Sequence, residues 1–108
     1  MDEKILTTIK KLLGITDDYD HFDLDILVHI NTAAMVLNQL GVGSGEIDDS
    51  TTWQKYLEDT TKFSAAKTYI YLRVRLLFDP PSSSGVIDSI NRTISELEWR
   101  LNLNAETG

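Results

Sequence analysis

The side chains best equipped for chemistry stand in one acidic stretch. Residues 16–25 read Thr-Asp-Asp-Tyr-Asp-His-Phe-Asp-Leu-Asp, with five aspartates around His21, and His29 follows eight positions later. A calcium loop needs the D-x-D-x-D-G order and a glutamate at its twelfth position, and neither is present. The two histidines would stand about 80° apart on a helix, and with no third histidine a metal site would need carboxylates from elsewhere. The stretch therefore reads as a loop and helix entry, with Asp20 or a neighbour accepting the first amide protons and the other aspartates complementing the helix dipole. A small hydrolase built on Asp17–Asp25 with His21 or His29 would betray itself by tight divalent-ion binding. No nucleophile, base and orienting partner are legible as a set, so no enzyme is expected.

A second stretch imitates a phosphate-binding turn. Gly41-Val42-Gly43-Ser44-Gly45 has neither the G-x-x-x-x-G-K-[ST] nor the G-x-G-x-x-G order, and it follows a helix-patterned segment rather than a strand. Gly41 suits the residue just past a helix end, and the others supply conformational slack. Gly43, Ser44, Gly45, Glu46, Asp48 and Asp49 are thus a candidate flexible loop for a partner or for the wall of a channel. No cofactor and no metal are expected.

The elements that carry these stretches are helical. Phe63, Ala66, Ile70, Val74 and Leu77 recur at steps of three and four, and so do Val86 or Ile87, Ile90, Ile94, Leu97 and Leu101. Between them Asp79-Pro80-Pro81-Ser82-Ser83-Ser84-Gly85 cannot continue a helix. Ile70, Leu72, Val74 and Leu76 also alternate as in a strand, but that run is short and the helical stripe is long, so length decides for a helix. One of Ser82, Ser83 or Ser84 should cap the last helix, which is expected to end near Leu101. Upstream, Ile5, Leu6, Ile9, Leu12 and Leu13 predict a helix over 2–13, with Asp2 and Glu3 at its start, Lys10 and Lys11 near its end and Gly14 to stop it. Phe22 to Leu40 predicts a second helix. Asp48-Asp49-Ser50-Thr51 should cap a short one bearing Trp53, Tyr56 and Leu57. The expected architecture is all-α: a bundle of four to five helices with a long helical hairpin around a Pro-Pro corner, one domain over 1–101, and a flexible tail over 102–108.

Several of these helices carry more apolar surface than one copy can hide. Leu24, Leu27, Val28, Met35 and Val36 widen the Phe22–Leu40 helix beyond a single stripe, which marks it as central or shared with another subunit, with Leu24, Val28 and Met35 as candidate interface residues. Lys67, Tyr71 and Arg75 run down one flank of the Phe63–Leu77 helix, either as a solvated face or as basic partners for an adjacent copy. Trp99 lies roughly 200° from Leu97 around its helix and is either a candidate interface anchor or a ring folded back over Arg100 or the tail.

Size and charge set the outer bounds. The chain has 108 residues, no cysteine, and 10 basic against 17 acidic side chains for a net charge of −7. That balance opposes a DNA-clamping role, although an acidic wall suits a conduit where contact must stay weak. No stretch of about 18 apolar residues is present to span a membrane, and Met1-Asp2-Glu3-Lys4 lacks the features of a signal peptide.

The order of segments resembles the head–tail connector (adaptor, or head-completion) proteins of long-tailed bacteriophages and prophages. The resemblance is carried by Ile5–Gly14, by His29-Ile30-Asn31, by Asn38–Gly43, and above all by Tyr69–Pro81 and Ser95–Asn102, with the Leu-Phe-Asp-Pro-Pro corner as its most telling part. It implies a helical fold without catalytic residues and assembly into a dodecameric ring beneath the portal. The implied partners are further copies of the chain, the portal protein and a stopper or tail-completion protein, with DNA passing non-specifically through the channel. The implied location is the virion neck, reached from the host cytoplasm during assembly. A rival reading is an acidic helical regulator or antitoxin-like interaction module, recognisable as a stable small oligomer that binds a toxin or repressor.

Overall fold

The computed structural model describes residues 1–107, with side chains through Leu103. Among these residues five α-helices occur, α1 (Ile5–Leu12), α2 (Asp23–Gln39), α3 (Trp53–Tyr56), α4 (Phe63–Phe78) and α5 (Ser84–Thr107), and a 3-10 turn at Thr60–Lys62 leads into α4. The all-α hairpin architecture expected from the spacing is what forms, and residues 70–76 are helical. Helix α4 is the centre: it packs on α2, α5 and α1, so α2 and α5 flank it in a slab of 41 × 35 × 18 Å. The core is continuous from Ile5 and Ile9 through Ile26, Ile30 and Leu37 to Trp53, Tyr69, Ile70 and Val74, and reaches Ile90, Ile94 and Leu101 on α5. The Phe22 ring meets Phe78 edge-on across α2 and α4, and Trp53 meets Phe63 in the same way.

Three boundaries differ from the sequence reading, each for a physical reason. Helix α1 starts at Ile5 rather than at residue 2 because the backbone before it is committed elsewhere. The Met1 and Glu3 carbonyls accept from Gln54 N and Trp53 N, and Ile5 N donates to Thr51 O, so the first residues lie along 51–54. Helix α2 has no side-chain cap: Asp20 contributes only its carbonyl, to Asp23 N, and Phe22 occupies the cap position. Helix α5 continues to Thr107 instead of ending near Leu101, since Asn102–Thr107 contains neither Gly nor Pro to stop it. The tail expected over 102–108 lies in part outside the described residues.

Other local expectations hold. Gly14 (φ 81°) and Gly41 (φ 80°) take the left-handed conformation that ends α1 and α2. Ser83 caps α5, its hydroxyl accepting from Val86 N and its carbonyl from Ile87 N. At α3 the cap is Thr52, which accepts from Lys55 N, one residue beyond the run expected to do it.

The acidic stretch turns out to be a tether. Lys10, only 1% exposed, donates from Nζ to the Asp17 carbonyl at 3.0 Å and pairs with the Asp23 carboxylate at 2.9 Å. Thr7 Oγ1 donates to the Asp17 carboxylate. Charge and hydrogen bonds thus pin the 14–22 segment between α1 and α2. Among the described residues, no group of three or more His, Cys, Asp or Glu side chains is placed to hold a metal ion, and no helix is long and apolar enough to cross a membrane.

Candidate assembly surface

Helix α2 has two apolar faces. At 100° per residue, Leu24, Val28 and Met35 fall within about 40° of one another and about 200° from the buried row of Ile26, Ile30 and Leu37. The inner row is fully buried, whereas Leu24, Val28 and Met35 are 75%, 56% and 56% exposed. These three form one contiguous outer stripe, and no element among the described residues covers it.

The segment after α2 builds a wall beside that stripe. Asn31 lies in the same stripe, and its side-chain amide is spent on one loop residue. Its Nδ2 donates to the Ile47 carbonyl at 2.8 Å and its Oδ1 accepts from Ile47 N at 2.8 Å, while Nδ2 also reaches the Leu27 carbonyl at 3.0 Å. The amide acts as a short piece of strand edge, satisfying both backbone groups of a residue whose side chain is buried. Nearby, the Tyr56 hydroxyl donates to Asn38 Oδ1 at 2.8 Å, and Asn38 Nδ2 donates to the Gly45 carbonyl. Burial pushes the Tyr56 phenol well above its ordinary range, so it remains a donor.

The loop is therefore not the slack that its glycines suggested. Val42 and Ile47 are buried anchors. Gly43, at φ 75°, is pressed so closely on the Tyr56 ring that a Cβ there would come within 2.5 Å of it. Ser44, Gly45, Glu46, Asp48 and Asp49 remain exposed on the outside of this braced segment. Asp48 accepts from the Ser50 hydroxyl and amide and from the Thr51 hydroxyl, which holds its carboxyl down to about 2, so the tip stays anionic. Between stripe and wall runs an open groove of roughly 490 Å³, with Leu24, Val28 and Met35 on one side and Ile47, Glu46 and Asp48 on the other. Asn31, Asn38 and Tyr56 were missed by sequence reasoning; the one available signal was a polar residue at Asn31 inside an otherwise apolar stripe.

The remaining candidates separate into two kinds. Lys67, Tyr71 and Arg75 are half-buried and engaged within the chain: Lys67 stands over the Phe63 ring at 5.0 Å, and Arg75 Nη1 donates to the Tyr71 hydroxyl at 3.2 Å. They brace α4 more than they advertise a basic face. Trp99 is 63% exposed and lies about 180° around α5 from the row Ile90, Ile94 and Leu101 that packs inward. The position of α5 is locked by Tyr69, whose hydroxyl donates to Glu98 at 2.5 Å, with Arg73 flanking the same carboxylate at 3.9 Å. Burial and the adjacent carboxylate raise the Tyr69 phenol above its usual range, which keeps that donor protonated.

No curated protein and no solved structure matches this chain. A model of the phage connector protein family matches residues 5–108, from the first turn of α1 to the C-terminal residue. With a helical slab, an uncovered apolar stripe and a braced acidic loop over that same span, the chain belongs to the phage connector proteins.

Proposed function

We propose that this chain is a structural subunit of the virion neck, a head–tail connector that closes with its copies into a dodecameric ring beneath the portal and extends the channel through which DNA leaves. Family membership supports the connector role, and one observation on the molecule carries the step to self-assembly. The outer stripe of α2 leaves three large apolar side chains more than half exposed on a chain of this size, and a surface of that kind marks a contact site. The proposed work is done by packing and asks for no catalytic group. The portal would meet one face of the ring and a stopper or tail-completion protein the other. At −7 per copy, the channel wall would repel DNA enough to let it slide.

The same charge makes free subunits repel one another at low ionic strength, so the portal acts as a template. The test is native mass spectrometry and negative-stain imaging of the chain alone and with the portal of its own phage, at about 10 mM and about 500 mM salt. Rings on the portal, with little assembly of the pure chain at low salt, are expected. Efficient ring formation by the pure chain at low salt would remove the template step. A chain that stays single in every mixture would remove the ring.

A further inference from the structure

The contact that joins neighbouring copies can be read from the two edges of the slab. On α4, Phe78 meets Phe22 at the entry of α2, while Tyr69, about 180° around the helix, bonds to Glu98 of α5. The two helices thus lie on different sides of α4, and the α2 stripe and Trp99, each on the outer side of its helix, stand on separate edges of the molecule. The two edges differ in character. At the α2 edge, the apolar groove is rimmed by the exposed acids Glu46 and Asp48. At the α5 edge, Trp99 is 63% exposed, Leu103 one turn on is 41% exposed, and Arg92 two turns before lies within about 20° of the same line. Arg92 is exposed and forms no ion pair among the described residues. Exposed Asp88 stands a turn before Arg92 on the same line, and Glu96 between them and Trp99 is taken up by Arg100. The unpaired charge nearest Trp99 along that line is therefore the Arg92 cation, while the other edge offers an apolar groove with an anionic rim.

Resting on the ring reading above, we propose that Trp99 of each copy seats in the α2 groove of the next, with Arg92 against the Glu46–Asp48 rim. A second copy is the occupant because the chain itself carries an exposed aromatic side chain and an unpaired cation to meet an apolar groove with an anionic rim. The contact is heterologous, joining two different surfaces, and such a contact propagates from copy to copy until its rotation closes. A two-fold contact of groove against groove is disfavoured, because it would set Glu46 and Asp48 against their own images. A buried tryptophan at the centre of an interface commonly dominates its energy.

The lack of cysteine in the chain allows a clean test. Thr32→Cys places a thiol on the exposed side of α2 next to the groove, and Ser95→Cys places one on α5 a turn from Trp99, which is left intact. Both positions are exposed, so the fold should survive, and circular dichroism checks it. The variants are assembled with the portal and treated with a short bifunctional maleimide. The double variant is expected to give a ladder of covalent multimers, and neither single variant a dimer. In parallel, Trp99→Ala should weaken association at least tenfold, with partial recovery in Trp99→Phe. Arg92→Glu should weaken it and Glu46→Lys in the same chain should restore it. Dimers from Thr32→Cys alone would indicate a two-fold contact and overturn the proposal, as would cross-linking of Thr32→Cys to the portal in place of a second copy. Rings of unmodified chain that yield no ladder from the double variant would also overturn this contact while leaving the ring standing. If unmodified chain never holds more than one copy, both readings fall.

Discussion

Replacing Asn31 with alanine should destabilise the fold through a single loop residue. In the native chain both backbone groups of Ile47 bond to the Asn31 amide at 2.8 Å, and Ile47 is 3% exposed. Truncation removes these bonds, each worth about 0.5–1.5 kcal/mol net, and strands a donor and an acceptor that cost about 1–3 kcal/mol apiece if they stay buried. The loop has an escape: it can lift away and hydrate them, giving up the burial of the Ile47 side chain at roughly 1.5–3 kcal/mol. The cheaper route sets the loss, so Asn31→Ala should cost about 2–3 kcal/mol. Urea unfolding should show a lower midpoint with little change in slope, and hydrogen exchange should show the Ile47 amide losing protection well before the core of α2 and α4. Asn31→Asp separates the two bonds, since its carboxylate still accepts from Ile47 N but meets the Ile47 carbonyl with no proton to offer. It should keep that amide partly protected while still losing stability. A cost below about 0.5 kcal/mol for Asn31→Ala, with the Ile47 amide as protected as in the parent, would refute the clamp.

The other expectations test the same scaffold at separate points. Gly43→Ala meets both a positive φ and the Tyr56 ring, whereas Gly45→Ala, at φ 83°, meets open space. The second should cost only the conformational term of about 1–2 kcal/mol and the first clearly more, and equal losses in urea unfolding would contradict the close packing. Lys10→Met exchanges a buried cation for a similar stem. Because Asp23 is 28% exposed and can turn to water, the loss should be about 1–2 kcal/mol, below the 3–5 kcal/mol of a sealed pair, with faster amide exchange confined to 14–22. The depressed carboxyl of Asp48 fixes a pH dependence. The stability it lends is fully present above about pH 4, its unfolded range, and is lost as pH falls through about 2. The Ser50 amide resonance should therefore titrate near pH 2, and a midpoint near 4 would show that the turn does not hold the carboxylate.

Much of this molecule was legible because its long elements declare themselves by period. The stripes Phe63–Leu77 and Ile87–Leu101 and the proline pair between them have only one helical solution, and Leu24, Val28, Met35 and Trp99 stood out as apolar residues off the buried row. What escaped was decided by contacts between residues distant in sequence. Nothing near Met1 announces that its carbonyl will accept from Gln54, which is why α1 starts three residues later than its pattern suggests. Lys10 looked like a dipole partner, yet it is buried because Asp17 and Asp23 converge on it from a separate segment. Gly43 and Gly45 read as slack because glycine permits left-handed backbone whether a loop is loose or tightly braced. Only Tyr56 and Asn31, reaching in from α3 and α2, decide between the two.

The position of Asn31 also bears on how copies can meet. Leu24, Val28, Asn31 and Met35 follow one another at steps of four, three and four, the spacing of a coiled-coil seam, and one buried asparagine in such a seam commonly fixes the pairing of two like helices. That reading would set α2 against α2 across a two-fold axis, with the asparagines bonded to each other. In this fold the Asn31 amide has no N–H left to give a second asparagine, because the Ile47 and Leu27 carbonyls take both, and its Oδ1 already accepts from Ile47 N. Moreover, the loop that Ile47 anchors stands beside the seam, where a second helix would have to lie along its full length. A single side chain entering the groove from the side meets no such obstacle. The residue that would otherwise specify a symmetric pair thus builds the wall that obstructs one, and this favours the proposed contact between two unlike surfaces over a two-fold one.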